Sequence, residues 1–520
     1  MQKNQKSFDI NLIINDARIW ALGHGIMKRV GKNGLNDFNV AHLPFTLLPT
    51  PFPIASYEKA LALQSTINKL YYKIATNSIF LHFIYDKIAD KDPFIDKLWK
   101  IFLTVTEEGF AQDLQLGLIR TDYLLHDDTT PFDVEDKVRD RTLGDILNAY
   151  NHVMGTPTKK KPKLKQVEVN CIAASFAGIS SRITEMHRHT LQRLGFEGEF
   201  LTNQMPENKA FTILAEGLIQ AWQSVNNPWA LILFVVEDVI TINEFDQRFL
   251  EWEITRLEPK VSFLRLSFSE LKKYGNLDEK TRVFTVRDQP LGVVYYRTGY
   301  NPNDYKNEED WHTRYLLEKS TAIKCPSIQF QLAGTKKVQE VINDPQILGQ
   351  FFAGTGEKVE MESLMESFVK FYPIDKPDTR NDNVTYATNH CDDVVLKPLR
   401  EGGGHNLYGN DVKDYLLKYQ KYWQDGTEKN PTLETPFVLM ERIKPHSCYN
   451  FLIHPEKKNL EINPTLVVCE LGIFGTVLCS EKRGVIHSKV GGLLLRSKSA
   501  ADNETGIMAG FGALDSPFFC

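Results

Sequence analysis

The chain reads as a mixed α/β protein with an α/β domain inserted into a larger unit, and three patterns point there. Apolar residues repeat at intervals of three and four through the first third, in YEKALALQSTINKLYYKIA (Tyr57 to Ala75) and PFIDKLWKIFLTVTEEGF (Pro93 to Phe110), which is helical spacing. Between residues 230 and 335 the rhythm changes to short apolar strands separated by helices: ALILFVVE, VSFLRLSFSEL and GVVYYRTGY. The last third supplies the strands DDVVLKP, PFVLMERI and TLVVCELGIFG, joined by polar, Gly-rich connections. The expected division is therefore residues 1–229, an inserted unit over 230–335, and residues 336–520.

Within the first part, QVEVN (Gln166 to Asn170) alternates apolar and polar residues, so Glu168 and Asn170 project from one face of a strand. A helix follows through SSRITEMHRHTLQRLGF, with Gly195 closing it. His187 and His189 in that helix lie two apart, do not share a face, and read as solvent-facing or capping residues rather than ligands. No repeat of 20 to 50 residues is apparent, which disfavours solenoids and propellers.

With 520 residues, 42% hydrophobic and 24% charged, the chain is long enough for two or three cores. A net charge of −5 offers no global basic field for nucleic acid. The basic run TKKKPKLK (Thr158 to Lys165) reads as a solvated loop entering a strand. The longest clean apolar run, Trp229 to Val236, is too short to span a bilayer and reads as a buried strand, so no membrane partner is expected. The amino-terminal stretch has neither an apolar h-region nor a small-residue cleavage site. Seven cysteines, odd in number and without a C-x-x-C pair, favour free thiols, a reducing compartment such as the cytoplasm, and no zinc site. Cys325 reads as packed rather than nucleophilic, and Cys520 as exposed and incidental.

The stretch VLKPLREGGGHNLYG (Val395 to Gly409) carries the most chemistry. It matches neither the P-loop nor the dinucleotide fingerprint, because Leu407 occupies the position of the last glycine. Yet a strand, then Lys397, then three glycines is a context in which backbone N–H groups fold over a polyphosphate. Lys397 neutralises phosphate oxygens, and Glu401 offers a hard oxygen to Mg²⁺. Glu168 and Asn170 offer the same chemistry from elsewhere, although such a pair taken alone is a solvent-facing pair.

In order along the chain, VEVNCIAASFAG, FDQR, QLAGTKKVQ, VLKPLREGGGHNLYG, MERI, ELGIFG and LLLRSK resemble the motifs of eukaryotic glutathione synthetases, ligases of the ATP-grasp superfamily. The resemblance runs from about Arg120 to Asp515. It implies an ATP-grasp fold with the inserted substrate-binding domain and a mobile lid around residues 397–409, a homodimer, and ATP with Mg²⁺. The implied reaction phosphorylates the C-terminal carboxylate of γ-glutamylcysteine and transfers the acyl group to glycine or another small amine.

Carried over position by position, the resemblance implies that Glu168, Asn170 and Glu401 hold Mg²⁺. Lys336, Lys397, Gly402, Gly403 and Gly404 would contact the phosphates, with Asn406 and Tyr408 lining the nucleotide pocket. Met440, Glu441 and Ile443 would meet the adenine, Glu470 the ribose, and Lys498 and Glu504 the nucleotide. Arg120, Ile172, Ala173, Ala174, Ser175, Thr241, Asn243, Gln247, Arg297 and Tyr300 would form the donor side. Arg496 would face the acyl phosphate or the acceptor, and Arg120, Lys397 and Arg496 would carry the catalytic work. Arginine suits those tasks because its planar fork grips a carboxylate with two parallel hydrogen bonds.

The chain departs from the family pattern on its substrate side. Ala173, Thr241 and Thr298 stand where serine, glutamate and aspartate are usual, and Ile507 and Met508 replace a smaller pair on the acceptor loop, about residues 496–515. A ligase with an altered donor or acceptor, and a non-catalytic paralogue that binds nucleotide or peptide, stand beside the leading expectation.

Overall fold

The strands Pro464–Ser480 and Gly484–Ser499 form one long antiparallel hairpin in which Glu470 lies opposite Arg496 and Val468 opposite Lys498. Leu114–His126 runs antiparallel along the outside of the first of them, and Lys163–Asn170 outside that. Gly512–Asp515, Phe45–Thr46 and Ser447–Ile453 extend the other side to seven strands. This is a computed structural model describing residues 9–30, 38–127, 162–196, 198–239, 241–354, 356–374, 377–399, 405–425, 437–459, 462–503, 506–507 and 510–520.

Strand alternation sorts the sheet's two faces. The register puts Arg120 opposite Asn170 and Asp122 between Glu168 and Gly472, so these polar residues share one face with Glu470, Arg496 and Lys498. Ile119, Tyr123, Leu471, Ile473 and Leu495 join the core behind it, with Leu63, Ile67, Leu70 and Ile74 of the helix Ile54–Ala75. A second helix in this core, Pro93–Glu108, starts where Asp92 accepts the N–H groups of Phe94 and Ile95 with proline at the first helical position, and it stops at Gly109, φ +79°. On the polar face, the helices Ala177–Arg193 and Ala210–Val225 cover the far end through Leu118, Phe474, Leu478 and Leu494. The near end stays open.

A separate sheet takes up the middle of the chain. Phe263–Leu266, Leu231–Val235, Gln289–Tyr296 and Ile323–Cys325 run parallel, with Phe284–Val286 and Gly275–Leu277 added antiparallel. Leu231–Val235 is buried at every position, which is why it reads as an unbroken apolar run. The stretch VSFLRLSFSEL, expected as a strand, is a strand only to Leu266. Ser267 and Glu270 form a capping box and start the helix Phe268–Tyr274, a signal that the apolar run masks.

The third unit is a three-stranded antiparallel sheet of Leu407–Tyr408, Val394–Pro398 and Phe437–Glu441, backed by the helices Pro377–Asn389 and Asn410–Asp425. It has its own small core, in which Val384 and Ala387 meet Leu396, Val412, Leu416 and Leu439. No helix among the described residues is long and apolar enough to cross a membrane.

The expectation for His187 is corrected. It is fully buried on the inner side of its helix, where Nε2 donates to the Thr46 carbonyl at 2.7 Å and Nδ1 accepts from the Ser516 hydroxyl at 2.7 Å. Burial pushes its pKa down to about 4. His189 lies nearer the surface and pairs with Asp16 at 2.9 Å. All seven cysteines are free, and burial pushes the Cys325 thiol well up.

Candidate active site

The open end of the polar face and the three-stranded sheet enclose a cleft of about 330 Å³. Every described residue expected at the nucleotide borders it. The main sheet contributes Glu168, Glu470 and Lys498, and the short helix Lys336–Val341 contributes Lys336 from its first position. The three-stranded sheet contributes Lys397, Asn406, Tyr408, Met440 and Glu441, with Ile443 just beyond it. Glu401, the glycines Gly402, Gly403 and Gly404, and Glu504 lie outside the described residues, as does Met508.

Electrostatics organise the floor. Lys336 Nζ lies 3.0 Å from Glu168 Oε2. Burial alone would raise the Glu168 carboxyl, but Lys336, Lys397 and Arg496 outweigh it and hold the group well below the usual carboxylate range. Arg496 reaches Asp122 Oδ2 at 3.0 Å and also pairs with Glu470. Burial opposes its charge, and Glu470, Asp122 and Glu168 more than restore it. Arg120 makes a two-pronged contact with Asp122, Nε to Oδ1 at 2.7 Å and Nη2 to Oδ2 at 2.8 Å. Asp122 is a site residue that sequence reasoning missed. The signal was present, because it sits two residues after Arg120 and therefore on the same strand face.

On the substrate side Arg120, Ile172, Ala173, Ala174, Ser175 and Tyr300 border the cleft. The loop through residues 173–176 is held in an unusual shape, with Ala173 at φ +50° and Phe176 at φ +72°. Three contacts maintain it: Arg120 Nη1 donates to the Ser175 carbonyl at 3.1 Å, Arg297 Nη1 to the Ala174 carbonyl at 3.1 Å, and Arg297 Nη2 to Ser175 Oγ at 2.9 Å. Behind them the buried Asp246 accepts the N–H groups of Phe176, Gly178 and Ile179, capping the helix Ala177–Arg193.

Several expected substrate residues stand away from the cleft lining. Arg297 is one layer behind it, with Asp246 at 3.8 Å and the Tyr295 hydroxyl at 3.0 Å. Gln247 donates to Asn243 Oδ1 at 3.2 Å and accepts from Arg265 at 2.8 Å. Thr241 is buried in the turn that enters the helix Glu244–Leu257. Ile507 packs into the core, and Gly506 lines the cleft at that point. Thr298 is buried with no hydrogen-bond partner for its hydroxyl among the described residues.

Among the further cleft-lining residues that the sequence reading did not name are Arg442 and Asn503. Arg442 Nη2 donates to Asn503 Oδ1 at 3.1 Å, and the Tyr408 hydroxyl donates to the Asn503 carbonyl at 3.3 Å. Together they tie the three-stranded sheet to the loop after the long hairpin.

The donor set fits Mg²⁺. Asn170 gives its amide N–H₂ to Asp122 Oδ2 at 3.0 Å and to the Arg120 carbonyl at 3.3 Å, which leaves its oxygen for a cation beside the Glu168 carboxylate. A hard cation that completes its shell with phosphate and water suits that pair of oxygens.

The family profile described as eukaryotic glutathione synthase, ATP binding domain, matches residues 8–519. Glutathione synthetases of Xenopus laevis and Homo sapiens are each 33% identical over 498 residues, covering 96% of this chain and 94% of theirs. The chloroplastic glutathione synthetase of Arabidopsis thaliana is 30% identical over 511 residues, 98% of this chain and 85% of its own. Among solved structures, a glutathione synthetase like-effector from Globodera pallida in apoform shares the fold, with a TM-score of 0.71, 21% identity, and coverage of 99% of this chain and 98% of that one.

Proposed function

The chain belongs to the eukaryotic glutathione synthase family, and on that premise we propose that it is an ATP-dependent ligase joining the C-terminal carboxylate of γ-glutamylcysteine to the amine of glycine. The observation that carries this reading is the meeting of Lys336, Lys397 and Lys498 with Arg120 and Arg496 around one cleft. Lysines suit a polyphosphate, and paired guanidiniums suit a carboxylate becoming an acyl phosphate.

In the proposed reaction a donor carboxylate oxygen attacks the γ-phosphorus of ATP and ADP departs. The amine nitrogen then attacks the acyl carbon, and phosphate leaves with the C–O bonding electrons and takes up the amine proton. Lys336 and Lys397 neutralise the transferred phosphoryl group, while Arg120 and Arg496 hold the carboxylate in line with it. Glu168, Asn170 and Glu401 would hold Mg²⁺, which would supply further charge neutralisation. A lid around residues 397–409, as the family membership suggests, would keep water from the acyl phosphate. The middle unit, residues 230–335, contributes Tyr300 to the donor side, with Arg297 one layer behind. Family membership supports a homodimer, and seven free thiols support a reducing compartment, the cytoplasm.

The test is Mg-ATP turnover with γ-glutamylcysteine, following ADP release and product mass with glycine and then with β-alanine, serine and glutamate. The expected product is glutathione. Absence of ADP release with any γ-glutamyl thiol sinks the reading. A second reading, a ligase with an altered donor or acceptor, is favoured by Ala173, Thr241 and the partnerless hydroxyl of Thr298. It predicts little glycine product and ADP release with another amine or donor.

A further inference from the structure

Asp122 has no exposed surface, and its carboxylate is the meeting point of three functional groups that the chain brings from different strands. Oδ1 accepts from Arg120 Nε at 2.7 Å. Oδ2 accepts from Arg120 Nη2 at 2.8 Å, from Arg496 Nη2 at 3.0 Å and from Asn170 Nδ2 at 3.0 Å. Charge-assisted bonds of this kind are both stronger and more directional than neutral ones.

The neighbouring strand is built around that carboxylate. Gly472 lies directly opposite Asp122, and a Cβ at Gly472 would sit 2.8 Å from Asp122 Oδ1 and 2.9 Å from Arg120 Cδ. Any side chain at 472 would push the carboxylate and its arginine aside. Glycine in the ELGIFG stretch is thus explained by the room that Asp122 and Arg120 require.

We propose that Asp122 is the positioning residue of the site, holding Arg120, Arg496 and Asn170 in one fixed frame so that the donor carboxylate, the phosphoryl group and the cation are aligned together. The inference rests on the ligase reading above. Asp122 itself touches none of the reactants. It balances two buried guanidiniums, and it orients the Asn170 amide so that the oxygen, not the nitrogen, is left for a cation. A buried carboxylate serving only the fold would make the same bonds, so the test must separate alignment from stability.

Two variants do so. Asp122→Asn keeps the shape but turns one acceptor into a donor facing N–H groups; Gly472→Ala keeps every ionisable group and displaces the carboxylate. Each is compared with the unmodified chain for kcat, for ATP and donor KM, for half-saturating Mg²⁺, for donor binding by calorimetry without metal or nucleotide, and for thermal melting. The expected result for Asp122→Asn is a fall in kcat of about 10- to 100-fold, with half-saturating Mg²⁺ raised about tenfold. Donor binding weakens while ATP KM stays within about threefold, because the ATP contacts do not pass through Asp122. Gly472→Ala moves the same quantities in the same direction, and decides the question if Asp122→Asn does not fold.

The proposal is overturned if kcat, donor binding and Mg²⁺ requirement stay within about threefold of the unmodified chain. It is equally overturned if ATP binding and melting temperature fall in step with kcat, which is the signature of a fold defect. Should the unmodified chain make no peptide, the ligase reading fails by itself. The Asp122 inference is then scored on the Mg²⁺ requirement for binding a non-hydrolysable ATP analogue, which needs no turnover.

Discussion

The ammonium of Lys336 and the carboxylate of Glu168 lie 3.0 Å apart across the floor of the cleft, one brought by a short helix and the other by a strand. On the roles proposed above, a cation for phosphate and an anion for metal thus satisfy each other until nucleotide and metal arrive together. Glu168→Gln should remove this ion pair from Lys336, tightening metal-free ATP binding by about 3- to 10-fold, which is ~0.7–1.4 kcal/mol. The same change should lower Mg-ATP turnover by about 100-fold or more. Calorimetry in the presence of a chelator, beside steady-state kinetics, checks both halves; unchanged metal-free affinity would show that the pair imposes no such restraint.

A single nitrogen of Arg496, Nη2, meets both Asp122 and Glu470. Lysine preserves the charge, but its ammonium, once held by those two carboxylates, has no further planar N–H donors to offer a reactant. Arg496→Lys should therefore lose about 100-fold in kcat while ATP KM changes little. Retention of more than half the activity would mean that charge, and not geometry, is what the position supplies.

Thr298 carries a buried hydroxyl without a partner among the described residues. Replacing it with valine of the same shape removes an unsatisfied polar group and should leave stability unchanged or raise it by about 1 kcal/mol. Urea denaturation reads that directly. If γ-glutamylcysteine turnover drops in Thr298→Val, the hydroxyl serves the donor after all. Thr298→Asp, next to Arg297, should raise affinity for a donor bearing an ammonium group; equal donor KM in the two proteins would remove this position from the specificity account.

Two buried groups give opposite pH signatures. His187 has its pKa pushed down to about 4 by burial, so the unfolded chain takes up a proton first as pH falls below 6.5. Its contribution to stability is complete above pH 6.5 and is lost as pH falls toward 4. Asp515 has its carboxyl pushed up to about 6, chiefly by burial, against hydrogen bonds from Ser497 and Thr50 that favour the charged form. Its contribution is present below pH 3.8 and is lost as pH rises through 6. Each is worth ~3 kcal/mol, so they nearly cancel between pH 4 and 6. His187→Gln should make the protein gain stability on acidification through that window, and Asp515→Asn should make it lose stability more steeply. Melting curves across pH 4 to 7 that are parallel for all three proteins would refute the opposition.

The helices Ile54–Ala75 and Pro93–Glu108 were legible from their spacing, and Gln166–Asn170 from its alternation, because each is decided by its own face; the strand begins earlier, at Lys163, within the run expected as a loop. The nucleotide side was legible because its charged strings are long and stand in a fixed order. For Asp122 only its place two residues after Arg120 was legible; its bonds to Asn170 and Arg496 span 48 and 374 residues. His187 was misread for the same reason, since its partners Thr46 and Ser516 lie 141 and 329 residues away in the chain. Burial of a polar side chain is set by what packs on it, and spacing along one helix does not encode that. The strand Phe263–Leu266 was expected to run on, because the apolar run hides the local cap that ends it.

The sheet face that holds the nucleotide residues joins Leu114–His126 to the hairpin Pro464–Ser499, so its construction depends on the order in which the chain is made. A polypeptide leaving the ribosome has its Arg120 and Glu168 long before it has Arg496 or Lys498. Until synthesis has passed Lys498 there is no assembled surface for ATP to bind. The nucleotide therefore cannot template the early folding of its own site, and its stabilising effect begins only when nearly all of the described chain has been synthesised.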